Sequence, residues 1–484
     1  MMSSCRSALG QFDNQTDVGS VNRPGSCEYA EAQQAYTIRT SGANIWGNHD
    51  DFHFVWKRMS GNFIVTMRAA FVGKGANPHR KFGWMARANL DAGSPHVSTG
   101  IHGDGLVSLQ FRRTPGGPTG EARASQPGAD VIQLERKGHT YIMSAAQYGR
   151  PFEAVQVTDI DLGEAVYVGL FVCSHEADVV EQAAFQDVRI VVPVKADFER
   201  GRDPFGSRLE LVDIATGHRQ IIYSSEAIFE APNWSRDGKA LIYNRDGRLV
   251  RFDLATRTPA FIDTGEVVRN NNDHVLSFDG SMLAISSHSE AGNISQVYTV
   301  PLEGGKPRLI TPTDPSYLHG WSPDGKFLVY TGQRNGQFDI YRIPVDGGEE
   351  TQLTNTIGLD DGPEYTPDGR YIYFNSVRSG RMQLWRMKAD GREQEQMTDD
   401  EYNNWFPHIS PAGKWVVFIT YLAGEVEPGD HPPAKRVYLR LMPLDGGAPK
   451  VLAYLYGGQG TLNVPSWSPD GSQLAFVSNT VPYK

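Results

Sequence analysis

The stretch NVPSWSPDGSQLAFVSN, residues 463–479, decides how this chain folds. It reads as two short strands joined by a tight turn at residues 467–471 (WSPDG), the second strand alternating through Leu474 and Phe476. Two strands are not a stable unit by themselves, so the rest of the module must lie elsewhere in the chain. The same turn recurs at residues 233–238 (NWSRDG), 276–280 (LSFDG), 321–325 (WSPDG), 365–369 (YTPDG) and 409–413 (ISPAG), which makes six copies. Measured at the residue before the turn glycine, the successive spacings are 42, 45, 44, 44 and 58. A period in the forties with strand alternation predicts a four-stranded propeller blade.

Each copy continues alike. After the turn comes an alternating strand such as residues 327–330 (FLVY), then a polar loop, a third strand such as 339–343 (DIYRI), a Gly-rich hairpin (346–348, DGG) and a short fourth strand. Asp and Gly suit these turns because hairpins between twisted strands need φ > 0. Residues 207–223 (SRLELVDIATGHRQIIY) read as third and fourth strands with no first and second before them. The C-terminal pair supplies those. One blade is therefore expected to be built from both ends of the segment, closing a six-bladed ring that leaves no free edge.

The W-S-P-D-G repeats, the "IYR…DGG…LT" endings and the blade count resemble the WD40-like (PD40) repeat of TolB-type β-propellers, over about 280 residues. That resemblance implies a fold rather than an activity, since such propellers serve as docking platforms, peptidase lids and polysaccharide-degrading enzymes. TolB itself carries an α/β domain before its propeller, and residues 1–198 do not read that way. Similarity to oligogalacturonate lyases, propellers that use channel histidines and a metal, implies carbohydrate cleavage as one outcome. A protein-docking or glycan-binding scaffold is the other.

Residues 1–198 alternate with period two at Phe63, Val65, Met67, Ala69 and Phe71, at Phe82, Trp84, Ala86 and Ala88, at Val107, Leu109 and Phe111, and at Tyr141, Met143 and Ala145. No 3.6-residue stripe is present, so an antiparallel β-sandwich is expected. The strand order resembles a concanavalin-type jelly roll of the laminin-G-like or DUF1349-like kind, which implies glycan binding. The expected fold is thus all-β: a jelly-roll sandwich over 1–198, then a six-bladed propeller over 199–484 closed by N- and C-terminal strands in one blade. Within the sandwich, WGNHDDFHF (46–54) is the densest polar cluster; His49, Asp50, Asp51 and His53 suit a metal, a sugar or simply a solvated strand start. Residues 75–84 and 94–105 read as loops carrying His96, His102 and Asp104.

Registering the blades on the turn locates candidate chemistry. Five residues before it stand Pro232, His274, His319, Pro363, Pro407 and Pro465; seven before it stand Glu230, Asn272, Tyr317, Asp361, Trp405 and Asn463. In a regular strand these two sets share a face, while Asn233, Glu364 and His408 come from the other. Two blades place histidine where the rest have proline, with no turn-geometry motive. Imidazole suits proton transfer near neutral pH and ligation of Mn or Zn, and the carboxylates suit harder ions such as Ca. We therefore expect His274, His319, His408 and Asp361 to be catalytic, the three histidines also holding a divalent metal. Water-bridged polar filling of the channel is the alternative reading of the same residues.

Loops on the same face carry His288 and Glu290, Arg334 and Asn335, Arg378 and Arg381, and an insertion at 422–437 (LAGEVEPGDHPPAKRV) with His431, Lys435 and Arg436. A long loop in a compact fold is usually functional. The arginines favour an anionic oligo- or polysaccharide, with Trp405 stacking a sugar and Glu230, Asn272, Tyr317, Asn404 and Asn463 holding hydroxyls. Solvated surface arginine is the competing explanation.

The chain has 484 residues and a net charge of −10, which argues against a nucleic-acid partner. It has no apolar run long enough to span a bilayer. Three scattered cysteines, Cys5, Cys27 and Cys173, give no disulfide framework. The opening MMSSCRSALGQFDNQ lacks the roughly 7–15-residue apolar core of a signal peptide, so a cytoplasmic protein is expected, or a periplasmic or secreted one whose leader has been removed. GxSxG, HExxH, P-loop and GxGxxG motifs are absent, so neither a nucleotide nor a flavin is expected.

Overall fold

A computed structural model describes residues 8–289 and 292–483; Cys5 and Glu290 lie outside the described residues. Every regular element among them is a β-strand, and no helix is long and apolar enough to cross a membrane. The chain divides into two compact units, Met1–Pro193 and Val194–Lys484.

The first unit holds two seven-stranded antiparallel sheets. One orders Asn14–Val18, Phe52–Ser60, Ala165–Cys173, Lys81–Arg87, His96–His102, Val107–Arg112 and Thr119–Arg123; the other centres on Val131–Lys137, Phe63–Phe71 and Glu176–Val191. Phe82 of the first sheet meets Phe71 and Phe185 of the second, with ring centroids 4.6 and 5.7 Å apart, so the sheets share a core. One expectation fails. Residues 94–105 are not a loop, because His96–His102 is a strand buried along its whole length. Its polar residues hid it: His96, Ser98, Thr99 and His102 break the apolar alternation that marks a half-buried strand. The polar cluster at 46–54 is largely structural. Asp50 is fully buried and takes a bidentate contact from Arg112 at 2.7 and 2.8 Å, while His53 lies 2.7 Å from Asp17.

The second unit is a six-bladed propeller. Five blades have four strands in sequence order, with buried inner strands Glu230–Trp234, Asn270–Leu276, Ser316–Trp321, Asp360–Tyr365 and Asn403–Ile409, here blades one to five. The sixth combines Gln473–Thr480 with Gly206–Asp213 and Arg219–Ser225; pairing runs from Gly206↔Thr480 to Asp213↔Gln473. The two ends of the segment therefore close the ring in one sheet, as the repeat register predicts.

The repeated turn explains its own sequence. Ser468 Oγ donates to Asp470 Oδ1 at 2.6 Å and accepts from Gln473 N at 2.9 Å, while Asp470 Oδ1 accepts from Ser472 N at 3.0 Å. The same 2.6 Å bond joins Ser235 to Asp237, Ser277 to Asp279, Ser322 to Asp324 and Thr366 to Asp368. Gly471 supplies the left-handed residue at φ 71°. Trp467 Nε1 donates to His408 O at 3.0 Å and Trp321 Nε1 to Val275 O at 2.9 Å, so these two turn tryptophans tie their blades to the preceding ones.

Two details depart from a regular register. In the closing blade the innermost segment is not a strand and makes only the bridge Trp467↔Leu474. Ala475 N bonds Ser466 O, but Val477 N bonds Thr461 O, so residues 462–465 bow out of the ladder, where Pro465 has no N–H to give. The inner strands of blades one to five all carry a register shift, at Glu230/Asn233, Asn270/His274, Leu318/Gly320, Asp361/Glu364 and Trp405/His408. Ala231, Gly362 and Phe406 take positive φ there. A bulge re-aims side chains, so the two candidate sets do not share one face as simple alternation requires.

Candidate functional site

A cavity of about 410 Å³ opens at the propeller mouth, lined by residues from blades two to six. Asn272, Tyr317, His319, Asp361, His431 and Asn463 all line it, joined by His288. At its centre His319 Nε2 lies 3.1 Å from Asp361 Oδ1. That oxygen also accepts from Thr331 Oγ1 at 2.7 Å and from Gly362 N at 2.8 Å, so three donors fix the carboxylate.

Asp273, one residue from an anticipated position, completes the cluster. Its Oδ2 accepts from Asn271 Nδ2 at 3.0 Å, and its own N–H bonds Asn271 Oδ1. Burial raises the Asp273 carboxyl to about 6; the His319 charge opposes this and the Asp361 charge adds to it. Burial also works to raise Asp361, but the hydrogen bond and charge of His319, aided by Thr331, hold it down at about 2. For His319, burial disfavours the cation, yet the bond to Asp361 and the charges of Asp361, Asp273 and Glu364 outweigh it, and the imidazole rises above its ordinary 6.5. The two carboxyls of this cavity are thus pushed in opposite directions, the pattern that divides acid and base roles.

The insertion contributes one wall. Tyr421 Oη donates to Pro432 O at 2.9 Å and Gln459 N donates to it at 3.3 Å, which fixes the loop beside the mouth. His431 then sits edge-on to Trp405 at 4.3 Å and to Phe406 at 5.3 Å, and Phe406 stacks on His319 at 5.9 Å. Burial holds His431 below its ordinary pKa, with Asp361 opposing.

Other expected residues do different work. The three histidines do not converge on a metal. His274 is fully buried, with Nε2 3.2 Å from Ile242 O, and burial pushes it down to about 4. His408 is locked between Glu364 Oε2 at 2.6 Å and Leu462 O at 3.3 Å. Among the described residues only His79, His102 and Asp104, in the first unit, bring three such donor atoms together. Glu230 pairs with Arg200 at 2.5 Å, and Asn404 is buried against Gln383, Thr398 and Asp400. Trp405 is fully buried and cannot stack a sugar; Phe406 occupies the lining instead.

The arginines do not form an anion-binding rim. Arg334 pairs with Glu350 and Arg378 with Asp360, at 2.7 and 2.6 Å, and Arg436 with Glu425. Arg381 is exposed, and neither it nor the half-buried Lys435 lines the cavity. Besides Asp273, alternation missed Asn271, Thr331, Phe338, Phe406 and Gln459. One signal was visible: residues 270–274 (NNNDH) are an unbroken polar run in an otherwise buried strand.

Comparison with known proteins places the propeller. The TolB beta propeller domain (PD40) family matches residues 319–430. An uncharacterised protein of Agrobacterium fabrum is 48% identical over 272 residues, 56% of this chain and 92% of its own length. A solved TolB-like structure from Agrobacterium tumefaciens is similar at 48% identity and a TM-score of 0.55, over 58% of this chain and 99% of that one. An oligogalacturonate lyase in complex with manganese aligns over 56% of this chain and 78% of its own, at 14% identity and a TM-score of 0.37. That is too distant a likeness to bear on chemistry.

Proposed function

This chain belongs to the TolB-like β-propeller family, and from that premise and the geometry of its mouth we propose that it binds an oligosaccharide there and cleaves it by acid–base chemistry. The observation that carries this reading is the gathering of Asp273, His319 and Asp361 in one cavity, with His319 Nε2 3.1 Å from Asp361 Oδ1 and the two carboxyls pushed in opposite directions by their surroundings. Asp273, titrating near neutrality, is the group able both to take and to give a proton. Asp361 stays ionised and favours the cationic form of His319, a donor for negative charge developing on a substrate oxygen.

The lining supports a sugar. Asn271, Asn272, Gln459 and Asn463 offer amides for hydroxyls, and Tyr317, Phe338 and Phe406 offer aromatic surface for C–H faces. With Arg334, Arg378 and Arg436 already paired, charge does not favour an anionic glycan over a neutral one. Either elimination or hydrolysis fits this constellation, and glycan binding by the first unit would assist.

The test is turnover by the full chain across an unbiased glycan panel, repeated with Asp273→Asn and His319→Gln. Cleavage that falls by at least about 100-fold in both variants, with binding retained, supports the reading. Cleavage unchanged in either variant refutes its assignment of roles. Binding without turnover on every glycan favours the second reading, a non-catalytic docking platform, to which the TolB propeller match lends weight.

A further inference from the structure

The first unit holds a second cluster that the mouth chemistry does not use. His79 lies on the connection between strands Phe63–Phe71 and Lys81–Arg87, while His102 and Asp104 sit at the tip of the hairpin joining His96–His102 to Val107–Arg112. One donor atom from each of the three lies within 4.8 Å of the others. His79 Nδ1 is 3.7 Å from Asp104 Oδ2. The other oxygen, Oδ1, already accepts from Leu106 N at 3.0 Å, which aims the carboxylate and leaves Oδ2 for a ligand.

The frame is built independently of any ligand. Gly103 N donates to Arg80 O at 2.9 Å and Asp104 N to Pro78 O at 2.8 Å, so the residues on either side of His79 are laced to the hairpin. Arg80 is itself buried against Glu181 at 2.7 Å, and Asn77 Oδ1 accepts from His79 N at 2.8 Å. The His79 and Asp104 side chains remain 56% and 38% exposed, free to adjust.

A second observation points to a ligand. His102 is only 5% exposed, and neither of its ring nitrogens has a hydrogen-bond partner. Buried polar atoms left unsatisfied are costly, and native proteins rarely keep them. His175, whose ring lies 5.4 Å from that of His79, also has an unpartnered buried Nδ1. A single ion among these rings would satisfy what the protein does not. The Lys81 ammonium does not contest the site, since it donates to Asn44 Oδ1 and Ile45 O.

We propose that His79, His102 and Asp104 bind a divalent transition-metal ion of the Zn²⁺ class, with a further position facing solvent. Two imidazoles and one carboxylate select such an ion over Ca²⁺ or Mg²⁺, which take oxygen ligands. Bonds of about 2.0–2.1 Å in a tetrahedron set donors roughly 3.3 Å apart, so closure needs only side-chain rotation by the exposed His79 and Asp104. Three protein ligands leave the fourth place for water or a ligand oxygen, with His175 near enough to contest it.

Co²⁺ titration of the chelator-treated full chain, followed by visible absorption, tests this. One equivalent should bind with the intense bands of a tetrahedral site and be displaced by Zn²⁺. His79→Ala and Asp104→Asn, both at exposed positions, should each weaken binding by more than about 100-fold, beyond the cost of losing an outer-sphere partner. His49→Ala should bind as the parent does. Absence of the band in the parent chain, or unchanged binding in both site variants, overturns the proposal.

Discussion

His319 Nε2 and Asp361 Oδ1, from the inner strands of adjacent blades, stand 3.1 Å apart in the propeller mouth, and Asp361 is held by Thr331 and Gly362 as well. The pair has a definite pH signature. Asp361 is depressed to about 2 in the fold, so its contribution is present above the ordinary carboxyl pKa and is lost as pH falls toward 2. His319 is raised, so its contribution is complete below 6.5 and fades as pH rises through the folded value. Asp361→Asn should remove both terms, costing on the order of 1–2 kcal/mol near pH 5–6. NMR titration of that variant should find His319 shifted downward, because its hydrogen bond and largest charge partner are gone and only Asp273 and Glu364 still oppose burial. An unshifted imidazole would show that Asp361 does not control it.

Asp273 has the opposite sign. Its carboxyl is raised to about 6, so the folded chain binds more protons than the unfolded one between about pH 4 and 6, and stability falls as pH rises across that window. Asp273→Asn should therefore stabilise the propeller at pH 7 by roughly 1–3 kcal/mol while removing the proposed proton transfer. Below about pH 4 the difference should vanish. Denaturant melts at both pH values check this, and a variant less stable than the parent at pH 7 would contradict it.

Much of this was legible beforehand, for identifiable reasons. The Ser-x-Asp-Gly turn writes its hydrogen bonds into the sequence, so blade number, period and closure follow from Ser468, Asp470, Gly471 and their counterparts. The site was only half legible. His319 stands where most blades have proline, Tyr317 and Asp361 fall at the register position seven before the turn, and His431 sits in an insertion, so the repeat exposes all four. Asp273 and Phe406 were missed because the bulges shift which side chains reach the mouth, and alternation cannot register a bulge. Pairing is not written locally either: Arg334 gives no hint of Glu350, nor His408 of Glu364.

The fifth turn lacks its aspartate, having Ala412 where the others place Asp, while Ser410 Oγ still accepts from Trp415 N at 3.0 Å. Ala412→Asp should restore the missing bond and stabilise the chain by about 0.5–1 kcal/mol. A thermal melt with no upward shift would show that the side-chain bond adds nothing to the turn.

His274 and His408 should behave as blade fasteners. Alanine at either should lower stability by about 1–3 kcal/mol, since each buried ring fills space and meets a carbonyl or carboxylate. Ligand binding at the mouth should stay within about threefold of the parent in protein that remains folded. Selective loss of binding without loss of stability would return these two histidines to the site.

Closure of the ring predicts that removing residues 473–484 unfolds the propeller, because Gly206–Asp213 loses its partner strand along its full length. Phe476→Ala, at a fully buried position, is the graded version and should cost about 3–5 kcal/mol. A truncated chain that keeps a cooperative propeller melt would break the closure model.

The most direct measurement is the pH profile of glycan turnover by the full chain beside Asp273→Asn. An ionisation near pH 6 in the parent profile that disappears in the variant, with activity falling by at least about 100-fold, is the predicted result. A variant that retains parental turnover and the same profile would contradict the assignment of Asp273 as the group that moves the proton.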